Sequence, residues 1–360
     1  MTDDRGRRKR RPRFGSEPGL RIAALFVSDW GHEFESVAAG RVPSHRLFGM
    51  RELGSLGHHV VHHTRPVTSR LTRRVGWRVS QLWWLLGVQR EVDVVIATHE
   101  AAAVPALLLR RLGLIRRPVI AMTVAALDAT SRPGPGGVLQ RTALRGADLI
   151  TVFSSSHREP LARRLARTAE TVRWVPLGVD TQYFSASTRP RDGGRLSVGT
   201  NAGKDYPTLM AALRPGEQLV VVTDAWNRSQ ARESADGLDV SFRSDVPITE
   251  LRELYARADV MVLPLRECEM SSGQTVLLEN LALGTPVVIS GVSGVADYVD
   301  PSIMLVVPAG DPSRLRQALT DTSWHDRARR GPEFVARRFT VEHLASALEA
   351  IADELVARRG

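Results

Sequence analysis

Residues 271–290 read SSGQTVLLENLALGTPVVIS, and this stretch decides the fold class. From Thr275 to Leu283 apolar residues occur nearly all round a helical projection, which predicts a helix buried on most sides. Gly284 ends it and Pro286 opens a β-branched strand, the hand-over expected of an α/β chain. Glu279 sits in the middle of that helix. A buried carboxylate without a partner is costly, so some group must hydrogen-bond it; pairing with an arginine is the purely structural explanation. Thr275 and Glu279 are one turn apart and share a face. Ahead of them, Ser271, Ser272, Gly273 and Gln274 lead into the helix with small polar residues. Their amides would point outward at the positive end of the helix dipole. The segment therefore offers an anion cradle and, a turn further in, a carboxylate suited to gripping a diol.

A second turn lies upstream, in SVGTNAGKDYPTLMAAL (197–213). Here a strand ends at Gly199, Thr200 and Asn201, then Lys204 and Asp205 lead into another helix. In an open parallel sheet ligands bind just past the carboxyl ends of strands, where this turn would lie. Lys204 supplies a compact point charge of the kind that faces a diphosphate; a solvated lysine is the plain alternative. The chain holds 49 basic residues, of which only Lys9 and Lys204 are lysines. Such a skew points to a GC-rich, bacterial genome, and it leaves Lys204 as the only lysine beyond the N-terminal tail.

Further out, β-branched runs alternate with helical periods along all 360 residues. Candidate strands are 21–27, 58–62, 93–97, 118–122, 148–153 and 172–175, then 195–199, 218–222, 239–243, 259–263, 286–290 and 303–307. Helices are expected between them, among others at 44–56, 138–146, 157–167, 207–213, 249–257 and 274–283. Alternation of this kind means βαβ units and parallel sheets. So many strands exceed one comfortable sheet, and a length of 360 at roughly 150 residues per domain agrees with two. The break is expected at SASTRPRDGGR (185–195), which has linker composition. The domains are then 20–185 and 195–337, after a basic tail at 1–19. A last helix in 338–360 carries Leu344, Leu348, Ile351 and Leu355 on one stripe.

Composition excludes several classes. Apolar residues at 43% and charged residues at 24% suit a globular chain with full cores. Cys268, the single cysteine, rules out an internal disulfide. Half of the net charge of +10 sits in residues 1–14, so no nucleic-acid footprint is expected on the folded body. The tail reads as a disordered leader rather than a signal peptide, since Arg21 and then Ser28-Asp29 interrupt the apolar stretch after it.

The two anion-suited turns together resemble the C-terminal half of nucleotide-sugar-dependent glycosyltransferases of the GT-B fold, specifically the large retaining family 4. VLLENLALGTPVV matches the motif that enters "LLEAMAxGxPVV", with Glu279 as its second glutamate. WVPLGVDTQYF (174–184), ELRELYARADVMVLPL (250–265) and GVSGVADYV (291–299) match flanking segments. PSHRLFGMRELGSLGHHV (43–60) and DVVIATHEAAAVPALLL (93–109) are similar to N-terminal ones. The resemblance covers roughly 20–358 and is most specific over 250–300. It implies two Rossmann-like domains facing a cleft, with the last helix returning to the first domain.

What it implies for the site follows residue by residue. Glu279 would bind the donor ribose. Lys204 and the amides of Gly273, Gln274 and Thr275 would neutralise the departing diphosphate, with Gly199, Thr200, Asn201, Ser271 and Ser272 around them. The co-substrate would be a nucleoside-diphosphate sugar, expected to be uridine-linked, with transfer under retention of configuration. No metal or other cofactor is expected, since protein cations and amides can stabilise the leaving group. Three places depart from the family: its first glutamate falls on Ser271, with Glu267 and Glu269 out of register; Thr200 follows Gly199 where an arginine is frequent; and Thr123-Val124-Ala125 stands where a histidine is frequent.

The acceptor side is less determined. His99 and Glu100 follow a strand of the first domain and are candidates for acceptor contact, His99 also for catalysis; capping or supporting roles are the alternative. Gly40 is a further acceptor-side candidate. In 70–90, Leu71, Val75, Val79, Leu82 and Leu86 form the expected core stripe. Trp77 and Trp84 fall on another face with arginines, as an acceptor platform or interfacial helix would, or as packing against a loop. His58, His59, His62 and His63 alternate along a strand and lack a ligand framework, so a metal is not expected there. The acceptor could be a small molecule, a glycan or a lipid-linked glycan. The expected location is cytoplasmic, with peripheral contact to the inner membrane face left open. A nucleotide-sugar epimerase or hydrolase of the same fold, or a non-catalytic binder, are the competing functions.

Overall fold

The computed structural model describes residues 19–64, 76–186 and 190–359. The basic tail to residue 18, the start of the expected 70–90 helix and part of the 185–195 linker lie outside the described residues.

The β-branched segments form two parallel six-stranded sheets. The first contains β1 (Arg21–Leu25), β2 (His59–His62), β3 (Val94–Ala97), β4 (Val119–Thr123), β5 (Leu149–Val152) and β6 (Val172–Trp174), in the order β2-β1-β3-β4-β5-β6. The second contains β7 (Arg195–Val198), β8 (Leu219–Val222), β9 (Val240–Arg243), β10 (Val260–Leu263), β11 (Val287–Gly291) and β12 (Leu305–Pro308), in the order β12-β11-β10-β7-β8-β9. Strands β3, β4, β5 and β10 are buried along their whole length, as strands covered by helices on both faces must be. In each sheet the order reverses beside the first strand, between β1 and β3 and between β7 and β10. Such a switch point opens a crevice outside the carboxyl ends of the strands.

The helix Val341–Ala357 leaves the second domain and packs on the first. Leu344, Leu348, Ile351 and Leu355 share a core with Ile22 and Ala24 of β1 and Val94 and Ile96 of β3. Thr340 and His343 start this helix with a reciprocal capping box, and a parallel bridge pairs Thr340 with Val179.

Two expected helices differ. The 44–56 segment is a 3₁₀ turn, Ser44–Leu47, and a separate helix, Met50–Ser55. Between them Phe48 and Gly49 are both left-handed (φ 53° and 79°), a conformation that no right-handed helix can contain. The second helix runs Trp77–Val88, and it follows the expected stripe only in part. Leu71 and Val75 lie outside the described residues. Leu82 and Leu86 pack against the core, but Val79 is 47% exposed while Gln81 and Leu85 are buried. A polar residue faces inward because its amide satisfies the backbone past β1, accepting from Phe26 N–H at 3.0 Å and donating to Phe26 C=O at 2.8 Å.

Candidate active site

At the second switch point β7 ends in Val198-Gly199 and the chain turns back through Lys204. Thr223 Oγ1 and the Tyr206 phenol both donate to the Gly199 carbonyl, at 2.6 and 2.8 Å. The Lys204 carbonyl accepts from Arg266 Nε at 2.9 Å, and Asp205 N–H donates to Pro264 C=O at 3.0 Å, stitching the turn to the end of β10. Asn201 accepts from Ser272 Oγ at 2.7 Å, which ties the turn to the other anion-suited segment. The Lys204 side chain lies folded against Gly199. A Cβ there would stand 1.8 Å from Lys204 Cε, so the lysine can lie in this position only because residue 199 is a glycine.

Lys204 is 1% exposed. Among the described residues its ammonium forms no hydrogen bond or ion pair, and burial lowers its pKa to about 8. The one group that opposes the shift is Cys268, whose own thiol burial pushes upward and so keeps neutral at pH 7. A buried, uncompensated cation is an expensive thing for a fold to hold.

The helix Gln274–Ala282 begins opposite. Its N-cap, Gly273, is left-handed (φ 91°) and no side chain caps it, so the first amides stay available to a ligand. A Cβ at 273 would approach Leu265 Cδ1 to 3.0 Å, a second reason for glycine. One turn on, Glu279 is 4% exposed. Its partner is not an arginine but His45 of the 3₁₀ turn in the first domain, with Nε2 at 3.3 Å from Oε1. His45 Nδ1 accepts from Asp180 N–H at 3.0 Å, which places the proton of the neutral ring on Nε2 and aims a donor at the carboxylate. Tyr255 lies beside this pair. Burial first, and then the Glu279 carboxylate, hold its phenol well above the ordinary value.

Lys204, Gly273, Glu279 and Tyr255 line one cleft of about 560 Å³, a size that suits a cofactor-scale ligand. Gly199, Thr200, Asn201, Lys204, Ser271, Gly273, Gln274, Thr275 and Glu279 lie along its wall, with Phe48, Val124 and Phe153 contributed by the first domain. Ser272 is buried behind them, on Asn201. Ser271 Oγ is buried without a hydrogen-bond partner, while its backbone N–H donates to Val124 C=O across the cleft at 2.9 Å. Neither neighbouring glutamate stands in for the missing one. Glu267 accepts from Ser293 N–H and Oγ–H at 2.7 and 2.8 Å, and Glu269 forms a two-pronged pair with Arg164 of the first domain, both contacts 2.9 Å.

The acceptor-side candidates are not brought to the cleft wall. Glu100 is buried and spends both oxygens on Val124 N–H and Ala125 N–H, at 2.9 and 3.0 Å. His99 sits at the first switch point and uses Nδ1 to cap its own helix, accepting from Ala101 N–H at 3.1 Å. Trp77 donates to Phe26 C=O at 3.1 Å and stacks on His63; Trp84 stacks on the same imidazole and packs against the core. The exposed tryptophan of this helix is Trp83, at 71%. Gly40 is exposed with nothing within reach of a Cβ. Of the histidine run, His58 pairs with Glu349 at 2.8 Å and His62 stacks on Phe34. Among the described residues no group of three His, Cys, Asp or Glu side chains could hold a metal, and no helix is long and apolar enough to cross a membrane. His45 was invisible to sequence reading, because its partner Glu279 is 234 positions away and no spacing rule connects them.

Residues 204–323 match the sequence profile of the family described as glycosyl transferases group 1. No match was found among curated protein sequences. Solved structures similar in fold include sucrose-phosphate synthase from Thermosynechococcus elongatus, 19% identical over 94% of this chain and all of that one, with a TM-score of 0.69. HepE from Anabaena, in complex with UDP-glucose, is 14% identical over 93% of this chain and all of its own, TM-score 0.68. WaaG, a glycosyltransferase involved in lipopolysaccharide biosynthesis, is 15% identical over 92% of this chain and 99% of its own, TM-score 0.62. The likeness fixes the fold as GT-B: two sheets facing a cleft, closed by a returning C-terminal helix.

Proposed function

We propose that this chain transfers a sugar from a nucleoside-diphosphate sugar to an acceptor, with retention of anomeric configuration and without a metal. The observation that carries the reading is Lys204. Burying an ammonium against Gly199 with no partner is costly, and a diphosphate in the cleft would supply the missing anion. Breaking the glycosidic bond puts further negative charge on that diphosphate. A fixed cation and the free amides of the helix Gln274–Ala282 stabilise such charge without reorganising, the usual source of large rate effects in dry sites. Glu279 keeps acceptor capacity for ribose hydroxyls while His45 holds one of its oxygens. The match over 204–323 covers Lys204 and Glu279 alike and supports the same assignment.

The acceptor would enter from the first-domain side, where Phe48, Val124 and Phe153 line the cleft. His99 has its Nδ1 committed to capping its own helix, so it is not assigned a proton-transfer role in the cleft. Incubation with a labelled donor and a bacterial lipid or small-molecule extract tests the reading. Label in a new glycoside supports transfer. Free sugar would make the protein a hydrolase, an altered sugar an epimerase, and retention of intact donor a binder.

A further inference from the structure

We infer that the base slot of this cleft is built for guanine, so that the donor is a guanosine-diphosphate sugar rather than the uridine one expected from the family resemblance. The inference rests on the nucleotide reading of the cleft and adds the identity of the base.

The sheet order lays the nucleotide out along one axis. Anion groups cluster at the switch between β7 and β10, around Lys204 and Gly273. From there the sheet continues outward as β7-β8-β9, and the cleft wall follows it through Val198 and Val222 to Val246, Ile248 and Leu251. Five aliphatic side chains along this part of the wall suit the faces of a flat base. Glu279 and Tyr255 line the same cleft, and on the proposed reading Glu279 takes the ribose that joins the base to the diphosphate.

Few polar side chains in this part of the cleft remain to read the edge of the base. Thr223 has given its hydroxyl proton to Gly199 C=O. Arg243, two residues before Asp245, pairs with Glu250. Asp245 also lines the cleft and, among the described residues, has no hydrogen bond or ion pair. It is held in the left-handed region (φ 54°), where aspartate is one of the few residues with a side chain that is tolerated.

A carboxylate only accepts hydrogen bonds. Guanine presents two adjacent donors, N1–H and the 2-amino group, on one edge, and a carboxylate can take both in parallel. Uracil offers a single N–H between two carbonyl oxygens, so the second carboxylate oxygen would face another acceptor. Adenine and cytosine each set one amino group beside a ring acceptor. Guanine is therefore the only common base that satisfies both oxygens of Asp245.

Calorimetry with GDP, UDP, ADP and CDP on the full chain tests this. GDP should bind tightest, by roughly tenfold or more over UDP, in line with what a bidentate base contact contributes. Asp245→Asn, which tolerates the same backbone, should lower GDP affinity about tenfold and leave UDP affinity unchanged, at an unaltered melting temperature. UDP binding as tightly as GDP, or GDP affinity unmoved in Asp245→Asn, overturns the guanine assignment. If UDP binds in a Lys204-dependent way, the cleft reading survives that outcome. If none of the four binds, the cleft reading falls and the guanine inference with it.

Discussion

Replacing Lys204 by methionine should make the empty protein more stable and unable to bind its donor. The lysine is 1% exposed and its pKa falls from 10.5 to about 8 on folding. At about 1.4 kcal/mol per tenfold change, the charged form costs roughly 3 kcal/mol at neutral pH. Methionine fills nearly the same space with an unbranched, adaptable apolar chain and removes that cost. The pH dependence has a definite sign. Below about pH 8 both folded and unfolded chains carry the charge, and the advantage of Lys204→Met is full. Between pH 8 and 10.5 the unfolded chain holds the proton that the folded chain has lost, so rising pH favours the parent and the advantage shrinks. Urea unfolding of parent and variant at neutral pH and near pH 10 reads this difference directly. A nucleoside diphosphate added to the same experiment should stabilise the parent and leave the variant unmoved. A variant that is no more stable than the parent at neutral pH would show that Lys204 already has a partner, and the argument from an unmet charge would fail.

Glu279→Gln should weaken donor binding about tenfold with little change in turnover at saturating donor, because a ribose is gripped equally before and during the reaction; initial rates over a donor series separate the two. Gly199→Ala should lower donor affinity about as much as Lys204→Ala, since its Cβ would displace the lysine side chain; a normal nucleotide titration would show that the close packing does not matter. Trp84→Ala should cost about 1–3 kcal/mol of stability, as loss of a partly buried aromatic does, while nucleotide affinity and acceptor use stay unchanged. EDTA should leave the transfer rate unaltered; a rate lost to chelation and restored by Mg²⁺ or Mn²⁺ would move the charge stabilisation from Lys204 to a metal.

The strands were legible because each is a short β-branched run between breakers, and covered parallel strands need nothing more. The cleft side of the second domain was legible for a related reason. Gly199, Lys204, Gly273 and Glu279 lie on two local segments whose chemistry is set by a strand end and a helix start. Contacts between distant segments were not legible. His45, Tyr255 and Asp245 come to the cleft only through the packing of one element on another. The stripe of the Trp77–Val88 helix departs in part, for a different reason: periodicity assigns the core to apolar residues, yet Gln81 faces inward because the Phe26 backbone needs its amide. A helical period cannot register a backbone group on another element that has to be satisfied.

Glu100 shows how one such misreading changes the account of the site. As an exposed carboxylate past β3 it would be an acceptor ligand; buried, it fixes the Val124-Ala125 backbone through two N–H donors. Val124 C=O in turn accepts from Ser271 N–H, and Glu269 C=O accepts from Asp128 N–H at 3.1 Å. The segment that precedes the helix Gln274–Ala282 is thus held by the first domain through its backbone, and the Arg164–Glu269 pair holds it through a side chain. Further along, Asp297 accepts from Ser155 N–H and Oγ–H at 2.7 and 2.6 Å, and Tyr298 O–H donates to Phe153 C=O at 2.6 Å. Backbone bonds of this kind do not depend on which side chain stands at 271. A serine there can keep the loop in place where the family has a glutamate, and its unpartnered Oγ leaves one polar atom of the wall to be satisfied by what enters the cleft. On the proposed reading, the departure from the motif therefore bears on how the transferred sugar would be held, while the grip on the nucleotide would rest on Lys204, Glu279 and the helix amides.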